Sequence, residues 1–355
     1  MKVISARNVH QAFPIALGIL LRHGVKRDSR NSSMLGPVLQ FPTPVTTVYQ
    51  NPRERVLFWP QRDANPFLHL YESLWMLVGR NDLAPLVRYA KQFESFSDDG
   101  KTLHGAYGYR WRTHFGVNQL GVVIDKLRND PDDRRCVVSM WDAEQDLYLD
   151  SKDIPCNLTI TFQMSVTGVL DMVVFCRSND IVWGCYGANA VHFSFLQEYI
   201  ALGIGCPMGT YTQVSVNWHG YEKTLAPLCG LEGETTKGLY SVPTPIDDPY
   251  VRRLAEPTPL GDIMWRQRVR PERRAAHLHE ELSWLLCEAD EGFPNQERPQ
   301  FMSKFTQLCH GMLMAHAAWK NMGKATGIAM LRAMKEYQKN DWVVAGIEWL
   351  ERRQR

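Results

Sequence analysis

Two short stretches of this 355-residue chain carry the residue types that chemistry on a small charged ligand needs. The first, "RSNDIVWGCYGAN", runs from Arg177 to Asn189 and contains an Arg-Ser pair, an Asp and two glycines. A guanidinium group binds phosphate oxygens in pairs, so Arg177 followed by Ser178 is suited to hold a phosphate. The second, "DIPCN", places Cys156 directly after a proline.

Cys156 is either a small buried apolar side chain, as most isolated cysteines are, or a nucleophile. A thiolate needs positive charge nearby to exist at neutral pH. Arg177 leads away from the neighbouring hairpin strand, and "DDRR" adds Arg134 and Arg135. A cysteine beside an arginine-lined phosphate site predicts covalent chemistry on a nucleotide or a sugar phosphate.

Both strands and helices are predicted to position these residues. The prediction uses the spacing of apolar residues together with turn and cap residues. Strands are predicted at 135–141, 157–164, 169–176 and 209–217, and helices at 65–79, 117–129 and 189–204. Thr167-Gly168 predicts a hairpin between the second and third strands. From about residue 275 the spacing is helical with few Gly or Pro. Helices are predicted there at 277–290, 300–322, 325–338 and 341–353.

Composition divides the chain into three parts. Residues 1–230 form the predicted catalytic domain, of the α/β (α+β) class with a twisted mixed sheet flanked by helices. Residues 231–274, rich in Gly, Pro and Thr and then in Arg, are predicted to be a loop or linker. Residues 275–355 form a predicted all-helical C-terminal extension.

Bulk properties exclude several classes of protein. A hydrophobic content of 45% and a charged content of 22% are typical of soluble globular chains. The net charge of +2 argues against bulk nucleic-acid binding. The eight cysteines lack a C-x-x-C pair and zinc-like spacing, so neither a metal nor a disulfide framework is expected. The apolar run 13–21 is too short to span a bilayer, which predicts an amphipathic helix in a cytoplasmic protein.

A set of motifs in a fixed order resembles the thymidylate synthase family. "YESLWMLVG", "GAYGYRWR" and "DDRRCVVSMWD" resemble its upstream segments, and further matches follow at Pro155-Cys156, Arg177-Ser178-Asn179-Asp180, Gly184, Asn189 and His219-Gly220-Tyr221. The resemblance covers roughly residues 20–225. No single motif is decisive, and the order and spacing of the whole set carry the resemblance.

The resemblance implies a synthase-like fold and a homodimer with shared active sites. Cys156 would attack C6 of a pyrimidine nucleoside 5′-monophosphate, and C5 would take a one-carbon unit from 5,10-methylenetetrahydrofolate. Phosphate ligands would be Arg177, Ser178, one N-terminal arginine (Arg27, with Arg30 as rival) and, from the other subunit, Arg134 and Arg135. Further implied roles are sugar binding by His219 and Tyr221, proton transfer by Glu72, assistance at C5 by Tyr107, and pterin binding by Asp180. Alone, a Glu or His of this kind would be read as a solvated helix residue or a turn histidine.

The residue that reads the base is displaced by one position. The family has an Asn four residues after the Gly, whereas Gly184 plus four is Ala188 and Asn189 follows it. The interval from Asn189 to His219 matches the family, which predicts a one-residue insertion in "CYGA". A carboxamide at Asn189 can accept from N3–H and donate to O4, which fits uracil and not cytosine.

Three departures concern the second half of the reaction. Asn157 replaces a family His, Phe93 and Phe96 replace two Trp residues that wall the folate, and "GIEWLERRQR" lacks the short apolar tail that closes over it. Methyl transfer must protect a methylene intermediate from water until the folate delivers hydride. Admitted water would yield a hydroxymethyl group, as in the hydroxymethylases of phages and antibiotic pathways. This favours that branch, acting in the host cytoplasm if phage-encoded.

Three hypotheses therefore stand. The first is a deoxynucleotide 5-hydroxymethyltransferase that makes a modified DNA precursor, with dUMP favoured and dCMP as the other candidate. The second is a thymidylate synthase with unusual lid residues. The third is a nucleotide- or RNA-binding relative without turnover, against which Cys156, Arg177 and Glu72 argue, because a binder has no use for a thiolate.

Overall fold

A computed structural model describes residues 1–28, 36–229, 247–293 and 303–353. One mixed sheet of eight strands contains β1 Lys2–Ala6, β2 Val25–Arg27, β3 Val38–Gln40, β4 Val45–Tyr49, β5 Val137–Ser139, β6 Asn157–Met164, β7 Leu170–Asp180 and β8 Met208–Tyr221. The main order is β1-β4-β8-β7-β6-β5, and β3 pairs with both β2 and β8. The central pair, β7 and β8, runs parallel, while β6 and β7 form an antiparallel hairpin.

Helices of eight or more residues are α1 Val9–His23, α2 Pro66–Leu77, α3 Gln119–Asn129, α4 Asn189–Ile204, α5 Arg274–Asp290, α6 Lys304–Met322, α7 Lys324–Ala333 and α8 Asp341–Glu351. Short α-helical turns occur at Ala84–Val87, Tyr107–Tyr109, Ala143–Asp146, Glu222–Leu225 and Ile263–Arg268. The 3₁₀ turns are Pro60–Arg62, Lys91–Phe96, Ala226–Cys229, Pro271–Arg273 and Lys335–Tyr337, and two π-helical turns lie at Arg110–His114 and Ile181–Ala188.

The predicted fold class is confirmed as a mixed sheet flanked by helices. The hairpin turns at Gly168, whose φ of 77° favours glycine. The apolar run near the N-terminus lies in α1, whose first turn is capped by the Asn8 side chain, which accepts from the Gln11 N–H. Strand β7 continues to Asp180, beyond the predicted end at residue 176. Its polar end is held by parallel pairing with β8, which an apolar pattern does not reveal.

The C-terminal helices pack on the helices of the catalytic part. The Phe195 ring of α4 lies 5.5 Å from Phe305 of α6 and is stacked 5.8 Å from Trp342 of α8. The Phe67 ring of α2 meets Trp349 edge-on at 5.8 Å. All of these side chains belong to one hydrophobic core. The catalytic part and the C-terminal helices therefore share one core. The division of the chain into three parts stays a prediction from composition.

Part of the predicted linker also joins this core. Residues 231–246 and the start of the predicted helix at 300–302 lie outside the described residues. Within 247–274, Tyr250, Leu260 and Trp265 are buried. Among the described residues, none of the helices combines the length and the apolar character that a membrane crossing needs.

The two faces of the sheet differ in cover. On β7 the side chains of Met172, Val174 and Cys176 are buried, and α4 packs against β7 and β8. On the opposite face three apolar side chains are exposed, Val137 on β5, Phe175 on β7 and Val216 on β8. Exposed apolar residues on neighbouring strands are typical of a surface that another protein covers.

Candidate active site

The loop before β6 presents Cys156, and Arg177 of β7 holds that loop. The backbone N–H of Arg177 donates to the Cys156 carbonyl at 2.8 Å. Its Nε donates to the Pro155 carbonyl at 2.8 Å and its Nη2 to the Ile154 carbonyl at 3.0 Å. Among the described residues, these two bonds use two of the five guanidinium N–H groups. Arg177 is thus placed to shape the cysteine loop.

Tyr107 lies against the same loop from another element. Its Oη accepts from the backbone N–H groups of Cys156 and Asn157, each at 3.2 Å. The turn that carries it packs very closely on α2, since a Cβ on Gly108 would lie 2.0 Å from the Met76 carbonyl oxygen. Burial raises the pKa of Tyr107 well above its usual range, so its hydroxyl keeps its proton.

Opposing influences act on the Cys156 thiol. Burial raises its pKa, the Arg177 guanidinium lowers it, and Asp153 raises it further, with a net shift above the ordinary value of 9.0. Positive charge from Arg177 therefore acts in the predicted direction, but desolvation outweighs it in the ligand-free site. The resting cysteine is a thiol, whose proton must leave when sulfur attacks.

We expect Asp153→Asn to speed alkylation of Cys156 by iodoacetamide severalfold at pH 8. Removing a negative charge that raises the pKa lowers that pKa, so a larger fraction is thiolate at a fixed pH below it. The new amide keeps an oxygen for the Gly105 N–H, which Asp153 accepts at 2.8 Å. Peptide-resolved mass spectrometry separates Cys156 from the other cysteines, and exposed Asp132→Asn is the control. An unchanged or slower rate would contradict the argument.

Asn189 follows a π-helical turn, Ile181–Ala188. A π turn holds one more residue than an α turn of the same span. Inside it Gly187 leaves helical geometry (φ −114°, ψ −110°), and a Cβ there would lie 2.8 Å from the Val182 carbonyl oxygen. The residues "CYGA", in which one extra residue was predicted, all lie in this turn. The turn thus offers a physical means to absorb an insertion while Asn189 stays at the start of α4.

Four buried side chains form a hydrogen-bonded series that we call the amide relay. Asn157 Nδ2 donates to Asn189 Oδ1 at 3.2 Å, and Asn189 Nδ2 donates to Asn179 Oδ1 at 3.1 Å. Asn179 Nδ2 then donates to Ser215 Oγ at 2.9 Å. Gly184 is required beside it, because a Cβ would lie 2.7 Å from Asn179 Oδ1. Sequence reasoning assigned no role to Asn179 or Ser215.

Asp180 and His219 are neighbours in the β7–β8 register. Asp180 Oδ1 accepts from the backbone N–H groups of Val182 and Trp183 at 2.9 and 2.6 Å and so begins the π turn. Its Oδ2 is buried and has no hydrogen-bond partner among the described residues. Burial disfavours the charged form of both groups, so it raises the pKa of the Asp180 carboxyl and lowers the pKa of His219. The His219 ring lies 5.4 Å from the Tyr221 ring.

Glu72 reaches this region from α2. Its Oε2 lies 3.3 Å from Nε2 of His192, which is on α4 one turn after Asn189. The contact lacks hydrogen-bond geometry, and the buried His192 Nε2 has no hydrogen-bond partner among the described residues. His192 was missed from sequence, although it follows Asn189 by three residues and so shares its face of the helix.

Other predicted site residues lie at the surface of this single chain. Arg27 is exposed on β2, and Arg30 lies outside the described residues. Arg134 and Arg135 are exposed just before β5, and Arg135 Nη2 pairs with Asp133 Oδ2 at 2.9 Å. Neither makes a hydrogen bond or ion pair with the Cys156 loop in the described part of the chain.

The two phenylalanines predicted to wall a folate lie in the 3₁₀ turn Lys91–Phe96. The Phe93 and Phe96 rings meet edge-on at 6.1 Å. Phe93 is half-buried against the core, while Phe96 is 43% exposed.

Comparison with known proteins gives one consistent family. The model of the family "Thymidylate synthase" matches residues 59–237. The chain is 49% identical to "Deoxyuridylate hydroxymethyltransferase" of Pseudomonas phage M6 over 99% of this chain and 95% of the relative. Proteins of the same name from Bacillus phage SP01 and Delftia phage PhiW-14 are 38% and 32% identical, over 50% and 48% of this chain and 49% and 50% of theirs.

Proposed function

Because this chain belongs to the thymidylate synthase family, we propose that it is a deoxynucleotide 5-hydroxymethyltransferase that prefers dUMP to dCMP and makes a modified DNA precursor. The observation that carries the proposal is the extent of the similarity to the Pseudomonas phage M6 protein. It includes the C-terminal helices, which the family model does not cover. As a one-carbon transferase of phage type, it is expected to act in the cytoplasm of the host.

Covalent attack is the role proposed for Cys156. Sulfur would bond to C6 of the uracil ring, and the resulting electron density at C5 makes that carbon the nucleophile. Tyr107 contacts the Cys156 loop from another element and keeps a phenolic proton at its Oη. Arg177 and Ser178 are proposed to bind the 5′-phosphate, and the neighbouring pair His219 and Tyr221 the sugar 3′-hydroxyl.

The proposed co-substrate, 5,10-methylenetetrahydrofolate, supplies a one-carbon unit at the oxidation level of formaldehyde. The residues present fit such a ligand, because Asp180 Oδ2 is a buried acceptor without a partner and a pterin offers N–H donors. Phe93 and Phe96 would lie along its ring system. The overall change is then balanced as dUMP, methylenetetrahydrofolate and water giving hydroxymethyl-dUMP and tetrahydrofolate.

Product identity tests this proposal against methyl transfer. Methyl transfer takes hydride from the folate and yields dihydrofolate, whereas hydroxymethyl transfer returns tetrahydrofolate. We expect mass spectrometry of the nucleotide to show a gain of one formaldehyde unit and absorbance to show no dihydrofolate. A methylated product with stoichiometric dihydrofolate would place the chain with the synthases that make dTMP, and the argument from Asn157, Phe93 and Phe96 would fail.

A homodimer with shared sites is proposed from the open apolar face of the sheet and from the exposed arginines. Val137, Phe175 and Val216 form a surface suited to a second copy of the same sheet. Arg134 and Arg135 lie at the end of the edge strand β5 and are proposed to reach the partner's phosphate.

Mixing two inactive variants is expected to restore activity. In a mixed dimer, Cys156→Ser of one subunit and Arg135→Ala of the other would fall in the same site, leaving the second site with neither lesion. Because half of the exchanged dimers are mixed and each has one intact site, activity should return to about a quarter of wild type. Two preparations of the same variant serve as the control. No recovery under conditions that demonstrably exchange subunits would count against the shared site.

A further inference from the structure

The amide relay commits part of the hydrogen-bonding capacity of Asn189. A carboxamide has two acceptor lone pairs on oxygen and two N–H groups on nitrogen. One lone pair of Asn189 Oδ1 accepts from Asn157, and one N–H of Nδ2 donates to Asn179. One acceptor position and one donor position are therefore left, in a fixed order along the amide. Uracil requires an acceptor for N3–H and a donor for O4, and cytosine requires the same two groups in the reverse order.

The relay also opposes rotation of this amide. Turning Asn189 by itself would set its NH₂ group against that of Asn157 and its oxygen against that of Asn179. All the members are buried, with exposures of 0% for Asn157, 7% for Asn189, 1% for Asn179 and 1% for Ser215, so solvent does not compensate. Reversal needs three amides to turn together while Ser215 changes from acceptor to donor. Orientation is thus set by neighbours rather than by Asn189 alone.

Resting on the proposed function, we infer that Asn179, held by Ser215, is a positioning residue that fixes the Asn189 carboxamide in the orientation that selects uracil over cytosine. The residue acts through Asn189 and does not itself touch the base. Asn179 and Ser215 lie on the adjacent parallel strands β7 and β8, and Asn179 Nδ2 donates to Ser215 Oγ across them.

Two substitutions at Asn179 distinguish its hydrogen bond to Asn189 from the space that its side chain fills. Asn179→Leu keeps the size of the side chain but removes the acceptor for Asn189 Nδ2. Asn179→Asp keeps an acceptor and cannot donate, so Asn189 retains its orientation while the Ser215 hydroxyl turns to donate. Affinities for dUMP and dCMP are measured by calorimetry without folate. We expect Asn179→Leu to lower the dUMP-to-dCMP affinity ratio about tenfold or more, and Asn179→Asp to leave it within about twofold.

Ser215→Ala is a second, milder variant that leaves Asn179 Nδ2 without its acceptor and is expected to lower the same ratio. Gln213→Leu is the matched control, because Gln213 is fully buried two residues earlier on β8 and is not a member of the relay. An unchanged ratio in both Asn179→Leu and Ser215→Ala would overturn the inference, as would an equal loss of affinity for both nucleotides. A wild type that binds dUMP and dCMP equally would overturn it directly. Since no folate is present, a methylated product in the separate turnover assay would refute the proposed reaction without altering this ratio.

Discussion

Cys156→Ser is expected to lower kcat by at least about a thousandfold while leaving the affinity for dUMP within about threefold. A serine hydroxyl of similar size is far less acidic than a thiol and is a much weaker nucleophile towards C6. The contacts that hold the loop, from Tyr107 and Arg177, involve its backbone and survive the change. Turnover, tritium release from C5 of the substrate and calorimetric binding give the three readouts.

The three readouts of Cys156→Ser are interpreted together. Loss of turnover together with tritium release, at nearly constant affinity, identifies the step as attack on C6. Cys287→Ser, at an exposed cysteine on α5, serves as the control and should behave as wild type. Tritium exchange at the wild-type rate in Cys156→Ser would refute the covalent mechanism for this chain.

Asn189→Asp is expected to shift the kcat/KM preference from dUMP toward dCMP by about ten- to a hundredfold. A carboxylate accepts the cytosine amine and, when protonated, donates to N3, whereas uracil leaves buried polar groups unpaired at about 1–3 kcal/mol each.

The matched control for this switch is Asn189→Ala, which removes both hydrogen bonds to the base. It should lower kcat/KM for both nucleotides without reversing their order. If wild type already has the higher kcat/KM on dCMP, or if Asn189→Asp retains the wild-type ratio, Asn189 does not read the base. Rates at several pH values show whether the new carboxyl acts protonated.

Local sequence patterns were sufficient for most of the elements around this site. The apolar alternation of 157–164, the Thr167-Gly168 turn and the capped run 65–79 each have a short-range physical cause, and β6, the hairpin and α2 follow them. The strands β1 and β4 were not predicted, although "KVISA" and "VTTVY" contain the β-branched residues that favour strands.

What could not be read from local patterns depends on register between distant strands. Asn179 and Ser215 are 36 residues apart and meet only because β7 and β8 pair in parallel. The sequence also did not predict that the pKa of Cys156 is raised. The nearby Arg177 can be inferred from the sequence, whereas the desolvation that outweighs it depends on the folded structure. The predicted roles of Arg134 and Arg135 depend on a second chain and stay predictions.

The packing of the C-terminal helices on α2 determines when, during synthesis, the site can form. Tyr71, next to Glu72 on α2, donates to Asp290 at 2.7 Å across 219 residues of sequence, and the Phe67 ring meets that of Trp349. The helix that carries the proposed proton-transfer residue therefore stays uncovered until Asp290 and Trp349 have been synthesised. A chain released after Tyr221 holds every proposed site residue, yet it leaves Phe67 and Phe195 without their partners. Nascent chains should thus gain activity in one step, once Trp349 has left the ribosome, rather than gradually as the site residues emerge.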